Sequence, residues 1–189
     1  MTKNADEIVV GANGSIYAAP LGTAVPASIA VALGAEWVEL GYVTEDGVTW
    51  TDGKTLQSIR AWQSLYDLRR VLESKEGSIG FSLMQWNRDT VPLAFGGGAI
   101  EEIVADSGNF RYTPGDPAEL DERMLAVEWA DGDKDYRLTF PKGMVGDNVE
   151  TNLVRTAAGV LPITFSLLGD DALEPFILDT NDPAFAPAA

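Results

Sequence analysis

The feature that most constrains this chain is a two-residue alternation repeated on both sides of a polar, glycine-containing turn. Arg123 to Ala130 (RMLAVEWA) and Tyr136 to Pro141 (YRLTFP) flank Asp131-Gly132-Asp133-Lys134-Asp135. Leu125, Val127 and Trp129 fall on one face, and Tyr136, Leu138 and Phe140 supply a matching row. Met124, Ala126, Glu128, Arg137 and Thr139 fall on the opposite face. Successive side chains of a strand point to opposite sides, so the pattern predicts an antiparallel hairpin with one buried and one polar face.

The same period recurs along the chain. Leu56 to Ser64 places Arg60, Trp62 and Ser64 on one side and Ile59 and Ala61 on the other, and Ser78 to Trp86 aligns Ile79, Phe81 and Leu83. Between them, Tyr66 to Ser74 reads as a strand, although Leu65, Leu68, Arg69 and Leu72 also fit helical spacing. Lys75-Glu76-Gly77 has the composition of a turn and is expected to close a hairpin. Further strands are expected at 8–10, 15–18, 100–105, 109–112, 149–156 and 162–168. Helix is scarce: Asn87 to Phe95 forms a short one ended by Gly96-Gly97-Gly98, and Pro114 to Asp121 adds a turn.

Many short strands with one or two short helices define a mainly β fold, an antiparallel β-sandwich or barrel with extended terminal arms. Residues 1–169 are expected to make a single domain with an N-terminal arm over about 1–12. Residues 170–189 hold five acids, three prolines and no base, and read as an extended C-terminal tail rather than core.

Composition narrows the chemistry. The 189 residues include no cysteine and no histidine, which removes disulfides, thiolate metal sites, the commonest general base and the commonest metal ligand. No cofactor, metal site or enzymatic activity is expected. The net charge of −16 argues against a sequence-reading DNA binder, which needs Lys and Arg to neutralise phosphates. The charge is uneven. Residues 1–56 carry 7 acids against 2 bases, residues 57–90 carry 4 against 5, and residues 91–189 carry 18 against 6. A near-neutral segment holding Arg60, Arg69, Arg70, Lys75 and Arg88 thus sits within an acidic chain, suited to docking on an acidic face of a neighbouring copy.

Several local patterns yield plainer readings. Ser15 to Leu33 is uncharged, but Pro20, Gly22 and Pro26 break it as a membrane span, and Asp6 and Glu7 give the wrong charge for a secretion signal. Synthesis in the cytosol is expected. Asp131-x-Asp133-x-Asp135 lacks the glycine and glutamate spacing of a calcium loop and reads as a hairpin turn. Gly11-Ala12-Asn13-Gly14 and Gly96-Gly97-Gly98 lack the Lys-Ser/Thr of a phosphate loop. Glu101-Glu102 and Asp170-Asp171 are neighbours in sequence, and on a strand would point to opposite faces, unlike a catalytic acid–base pair. The five tryptophans are scattered, as core and interface residues are.

Four blocks, in order, carry a resemblance. They are Gly14-Ser15-Ile16-Tyr17-Ala18-Ala19-Pro20-Leu21-Gly22-Thr23; Gly41-Tyr42-Val43-Thr44-Glu45-Asp46-Gly47-Val48 followed by Gln57-Ser58-Ile59-Arg60-Ala61-Trp62-Gln63-Ser64; Glu76 to Phe95; and Arg111-Tyr112 with the 123–141 hairpin. Together they resemble the major tail proteins of siphophages, especially those of actinobacteriophages, over roughly residues 14–141. The C-terminal third is matched mainly by Pro162–Leu168.

The resemblance implies a β-sandwich flanked by a helix, present in six copies per ring. Rings stack into a hollow tail tube whose inner strands close into one barrel, and viral DNA passes through without specific binding. It also implies contacts with the tape measure protein and with tail terminator and distal tail proteins, and no membrane partner. On that reading Arg60, Arg69, Arg70 and Arg88 belong at subunit interfaces, and Glu122 and Glu128, opposite the apolar hairpin face, are candidates for an acidic lumen. The alternatives are another virion component, such as a head-to-tail adaptor or decoration protein, or a secreted β-sandwich binding module.

Overall fold

The alternating segment from Glu122 to Val145 becomes the centre of the fold. The computed structural model describes residues 3–146 and 149–186. In chain order the strands and helix are β1 (Asn13–Pro20), β2 (Val38–Glu39), β3 (Thr49–Ile59), β4 (Arg69–Leu83), α1 (Thr90–Ala94), β5 (Ala99–Glu102), β6 (Phe110–Thr113), β7 (Glu122–Asp131), β8 (Lys134–Val145), β9 (Leu161–Leu167) and β10 (Ile177–Thr180). Single 3-10 turns lie at Ala5–Glu7 and Pro183–Phe185. The described chain is mainly β, and its strand pairs are all antiparallel, as the alternation predicts.

The main sheet runs β2-β1-β7-β8-β9-β4-β3, and β5 and β6 form a separate hairpin. β8 changes partner along its length. Residues 136–139 pair with β10, whereas residues 143–145 pair with β9. A register shift between Arg123 and Leu125 accompanies the change, and such irregularities bend a strand and increase its twist. The sheet therefore curls over itself. Ile16, Leu125, Val127, Leu138 and Phe140 meet Ile79, Phe81, Leu83, Leu161, Ile163 and Phe165, with Leu40, Leu93 and Ala94 closing the core.

The β7–β8 hairpin forms with the expected inward row, through a two-residue connection, Gly132-Asp133, whose Gly132 has φ of 63°. Its other face differs from expectation. Met124, Ala126 and Thr139 are buried there as well, because residues 21–37 strap across it. Trp37, Val25 and Leu33 pack on Ala19, Met124 and Ala126. Arg137, only 2% exposed, donates to the Ser28 carbonyl at 3.1 Å and the Val31 carbonyl at 2.9 Å. The uncharged stretch Ser15–Leu33 thus supplies β1 and then this covering strap.

Three further expectations are corrected. Residues 8–10 and 149–156 form no strand. Lys75-Glu76-Gly77 is not a turn but lies inside β4, and the reversal falls at 60–68 instead. Gly77 is there for close packing, since a Cβ would stand 2.5 Å from Leu167 Cδ1. The acidic segment after residue 169, read as a tail apart from the core, adds β10 to the sheet. The short helix forms where expected, capped not by Asp89 but by Asn87 and Thr90, whose side chains bind each other's backbone N–H groups at 3.0 and 2.9 Å. Gly96, Gly97 and Gly98, all with positive φ, end it.

Candidate functional site

β3 and β4 continue beyond the core as a two-stranded arm. Only residues 78–83 of β4 pair with β9; the rest pairs with β3 alone. No side chain between Thr51 and Glu76 is buried. Leu56, Ile59, Leu68, Val71 and Leu72 stand in solvent on the arm, and at its end Trp62 is 99% exposed and Tyr66 82%. An isolated two-stranded hairpin is at best marginally stable in water, and the exposed apolar residues lie on both of its faces.

The tip is nonetheless built to a single shape. Asp67 accepts from Arg60 Nε at 2.7 Å, Ser58 Oγ at 2.8 Å and Arg70 Nε at 3.2 Å. The Leu68 N–H closes the loop on the Ile59 carbonyl at 2.9 Å. The Arg60 guanidinium first, then the Ser58 hydroxyl, hold the Asp67 carboxyl down to about 2. One carboxylate thus satisfies the turn's polar groups and leaves Trp62, Leu65 and Tyr66 free to meet something else.

Three of the four arginines singled out from the sequence come together here. Arg60, Arg69 and Arg70 share the tip, each exposed. Arg88 does not join them. It lies just before α1, 3.6 Å from Asp89 and largely in solvent, at the far end of β4. Trp, Tyr and Arg together are the residue types enriched at protein interfaces.

The two glutamates are each partnered within the chain. Glu128 meets Arg137 Nε at 2.5 Å beside the strap, and Glu122 lies 3.3 Å from Lys142 Nζ. What sequence reasoning missed is a groove of about 920 Å3 between the approach to α1, β2 and the β5–β6 hairpin, walled by Trp86, Ile100, Phe110 and Tyr112. Its walls come from six separate stretches of chain, so no local pattern signals it. Among the described residues no group of carboxylates is arranged to hold a metal ion, and no helix is long and apolar enough to cross a membrane.

A curled antiparallel sheet that projects an exposed, apolar and arginine-bearing arm defines a mainly β-protein with a two-stranded extension. The chain belongs to the phage tail tube protein family, whose model matches residues 1–189. It is accordingly a structural subunit of a virion tail, and its family implies self-assembly into a tube. Comparison with curated proteins gives no match.

Proposed function

We propose that six copies of this chain close into a ring, that rings stack into the hollow tube of a long-tailed, siphophage-type virion, and that DNA passes along its lumen. The observation that supports this reading most directly is the arm. A ribbon bare on both faces over residues 51–76 gains stability when neighbouring subunits cover it, and joining copies edge to edge removes open strand edges such as β3. The arginines at the tip meet acids of a neighbour, and Arg88 serves a second contact.

The lumen carries more acids than bases, so that phosphates are repelled and DNA slides. Glu122 and Glu128 face the lumen, each as one half of an ion pair rather than as a free carboxylate. The subunit catalyses nothing and is made in the host cytoplasm. Tape measure, terminator and distal tail proteins are its partners at the inside and ends of the tube.

Electron microscopy of the purified chain tests the proposal. Long tubes with sixfold end views are expected. A single closed ring identifies an adaptor instead, and monomers at every concentration overturn the reading. In the tube, a lumen lined mainly by Lys and Arg removes the low-friction conduit.

A further inference from the structure

Arg137 is buried, and its guanidinium joins two separate parts of the chain. Its Nε meets Glu128 Oε1 at 2.5 Å on β7, while Nη1 and Nη2 donate to the carbonyls of Ser28 and Val31 in the strap. Among the described residues, these two bonds are the only hydrogen bonds from residues 21–37 to the sheet, apart from a turn on the adjoining Pro20. The strap's other bonds are internal, as from the Trp37 indole N–H to the Ala24 carbonyl at 3.3 Å. Val25, Leu33 and Trp37 add apolar contact with Ala19, Met124 and Ala126.

A second acceptor stands on the other flank of the same arginine. Ser15, Glu128, Arg137 and Asp179 lie opposite one another in a row that crosses β1, β7, β8 and β10. Opposite residues of an antiparallel pair share a face, with Cβ atoms about 4.5–5.5 Å apart. Arg137 thus has a carboxylate on each side and is bonded to only one of them. Asp179 Oδ2 is buried without a hydrogen-bond partner among the described residues, and so is Thr139 Oγ1, two positions from Arg137 on the same face. A buried carboxylate oxygen is costly in that condition, and an arginine N–H is a strong partner for it.

We infer that Arg137 is a two-position latch and that the strap is a cover that lifts. Closed, the Nη groups hold the Ser28 and Val31 carbonyls and Asp179 goes without. Open, they turn to Asp179 while Nε keeps Glu128, the strap carbonyls pass to water, and Ala19, Met124 and Ala126 are uncovered. The guanidinium has acceptors in both states, so lifting leaves no bare buried charge. Each state satisfies a group that the other leaves unpaired, which gives the strap two discrete arrangements. Lifting breaks no pairing of β1, β7 or β8, so the motion is local and the sheet stays intact.

The chain has no native cysteine, which permits a direct test. Met124→Cys places a thiol beneath the strap at a position only 2% exposed, and its rate of labelling by a maleimide dye reports lifting. Adding Asp179→Leu to that protein removes the waiting acceptor. Labelling is expected to slow by about tenfold or more, the equilibrium weight of one charge-assisted hydrogen bond. An unchanged or faster rate overturns the inference. So does labelling that accelerates steeply with urea from the first addition, because the thiol is then reached by unfolding of the whole body.

A second readout needs no cysteine, should Met124→Cys fold poorly. Fluorinated tryptophan is incorporated, and the Trp37 resonance is identified by its loss in Trp37→Phe. Two states or exchange broadening are expected for Trp37, collapsing to one sharp line in Asp179→Leu. A single sharp Trp37 line that is the same in both proteins overturns the latch.

Discussion

Tyr136 donates its phenolic hydrogen to Asp182 Oδ2 at 2.6 Å, across 46 positions of chain. This bond fastens the segment after β10 to β8. Asp182 also accepts the Ala184 N–H at 2.9 Å, capping the last 3-10 turn, and lies 3.2 Å from Lys134. The acidic, proline-containing segment is thereby tied to the sheet at both its strand and its turn.

Tyr136→Phe is expected to loosen residues 177–186 while leaving the core folded, seen as faster amide exchange confined to that segment. The bond to Asp182 and burial push the Tyr136 hydroxyl up to about 12 from an ordinary 10.0. A raised value means that the stabilisation is complete below about pH 10 and is lost as pH rises through about 12. Asp182 is held below its ordinary 3.8, first by Tyr136, so the same docking weakens as pH falls below 3.8. Uniform exchange across both limits would remove this role.

Phe140 has no exposed surface and sits where β8 joins the two halves of the sheet. Phe140→Ala is expected to cost about 3–5 kcal/mol in denaturant unfolding. Trp129, only partly buried and stacked on Tyr136 at 5.2 Å between ring centroids, should cost less when cut to alanine. The reverse order would mean that the hairpin, not the curled sheet, carries the core.

Two glycines admit neighbours that a methyl would displace. A Cβ on Gly143 stands 2.3 Å from Phe165 Cε1 and 2.6 Å from the Ser166 backbone oxygen, whereas one on Gly77 meets only the Leu167 side chain. Backbone cannot step aside as a leucine can. Gly143→Ala is therefore expected to cost about 1–3 kcal/mol, and Gly77→Ala less. Melting temperatures of the two variants decide the order.

Asp67→Asn removes the charge that gathers Arg60, Arg70 and Ser58, so the tip should lose its fixed shape and tube growth should slow, with the melting of the body unchanged. Because the carboxyl is held down to about 2, the tip should keep its order above about pH 4 and lose it as pH falls toward 2. Chemical shifts of the Trp62 indole follow this directly. A tip indifferent to both changes would be ordered by something other than Asp67.

The β7–β8 hairpin was legible because alternation there coincides with burial. The arm was not, for two physical reasons. Lys75-Glu76-Gly77 has turn composition, yet its glycine answers a packing need beside Leu167. The real reversal at 60–68 contains neither glycine nor proline and is shaped by the Asp67 side chain, an interaction no local propensity encodes. Charge counting found Arg60, Arg69 and Arg70 but grouped Arg88 with them, because nearness in sequence hid the length of β4. The strap was invisible since its contacts, from Ser28 and Val31 to Arg137, cross more than a hundred positions. β10 was missed because its pairing is supplied by β8, not by its own acidic surroundings.

The pairing of β1 with β7 also sets an order of events at the ribosome. Asn13 lies opposite Ala130 and Pro20 opposite Arg123, so the first strand, which meets only the two-residue β2 nearby in sequence, lacks its long partner until more than a hundred further residues have been made. During that interval the uncharged stretch that follows it has nothing to cover. Pairings this distant fold slowly and leave apolar segments open to misassociation. A nascent subunit is thus most vulnerable before β7 emerges, and crowded synthesis of many copies on one messenger would make that interval the step at which yield is decided.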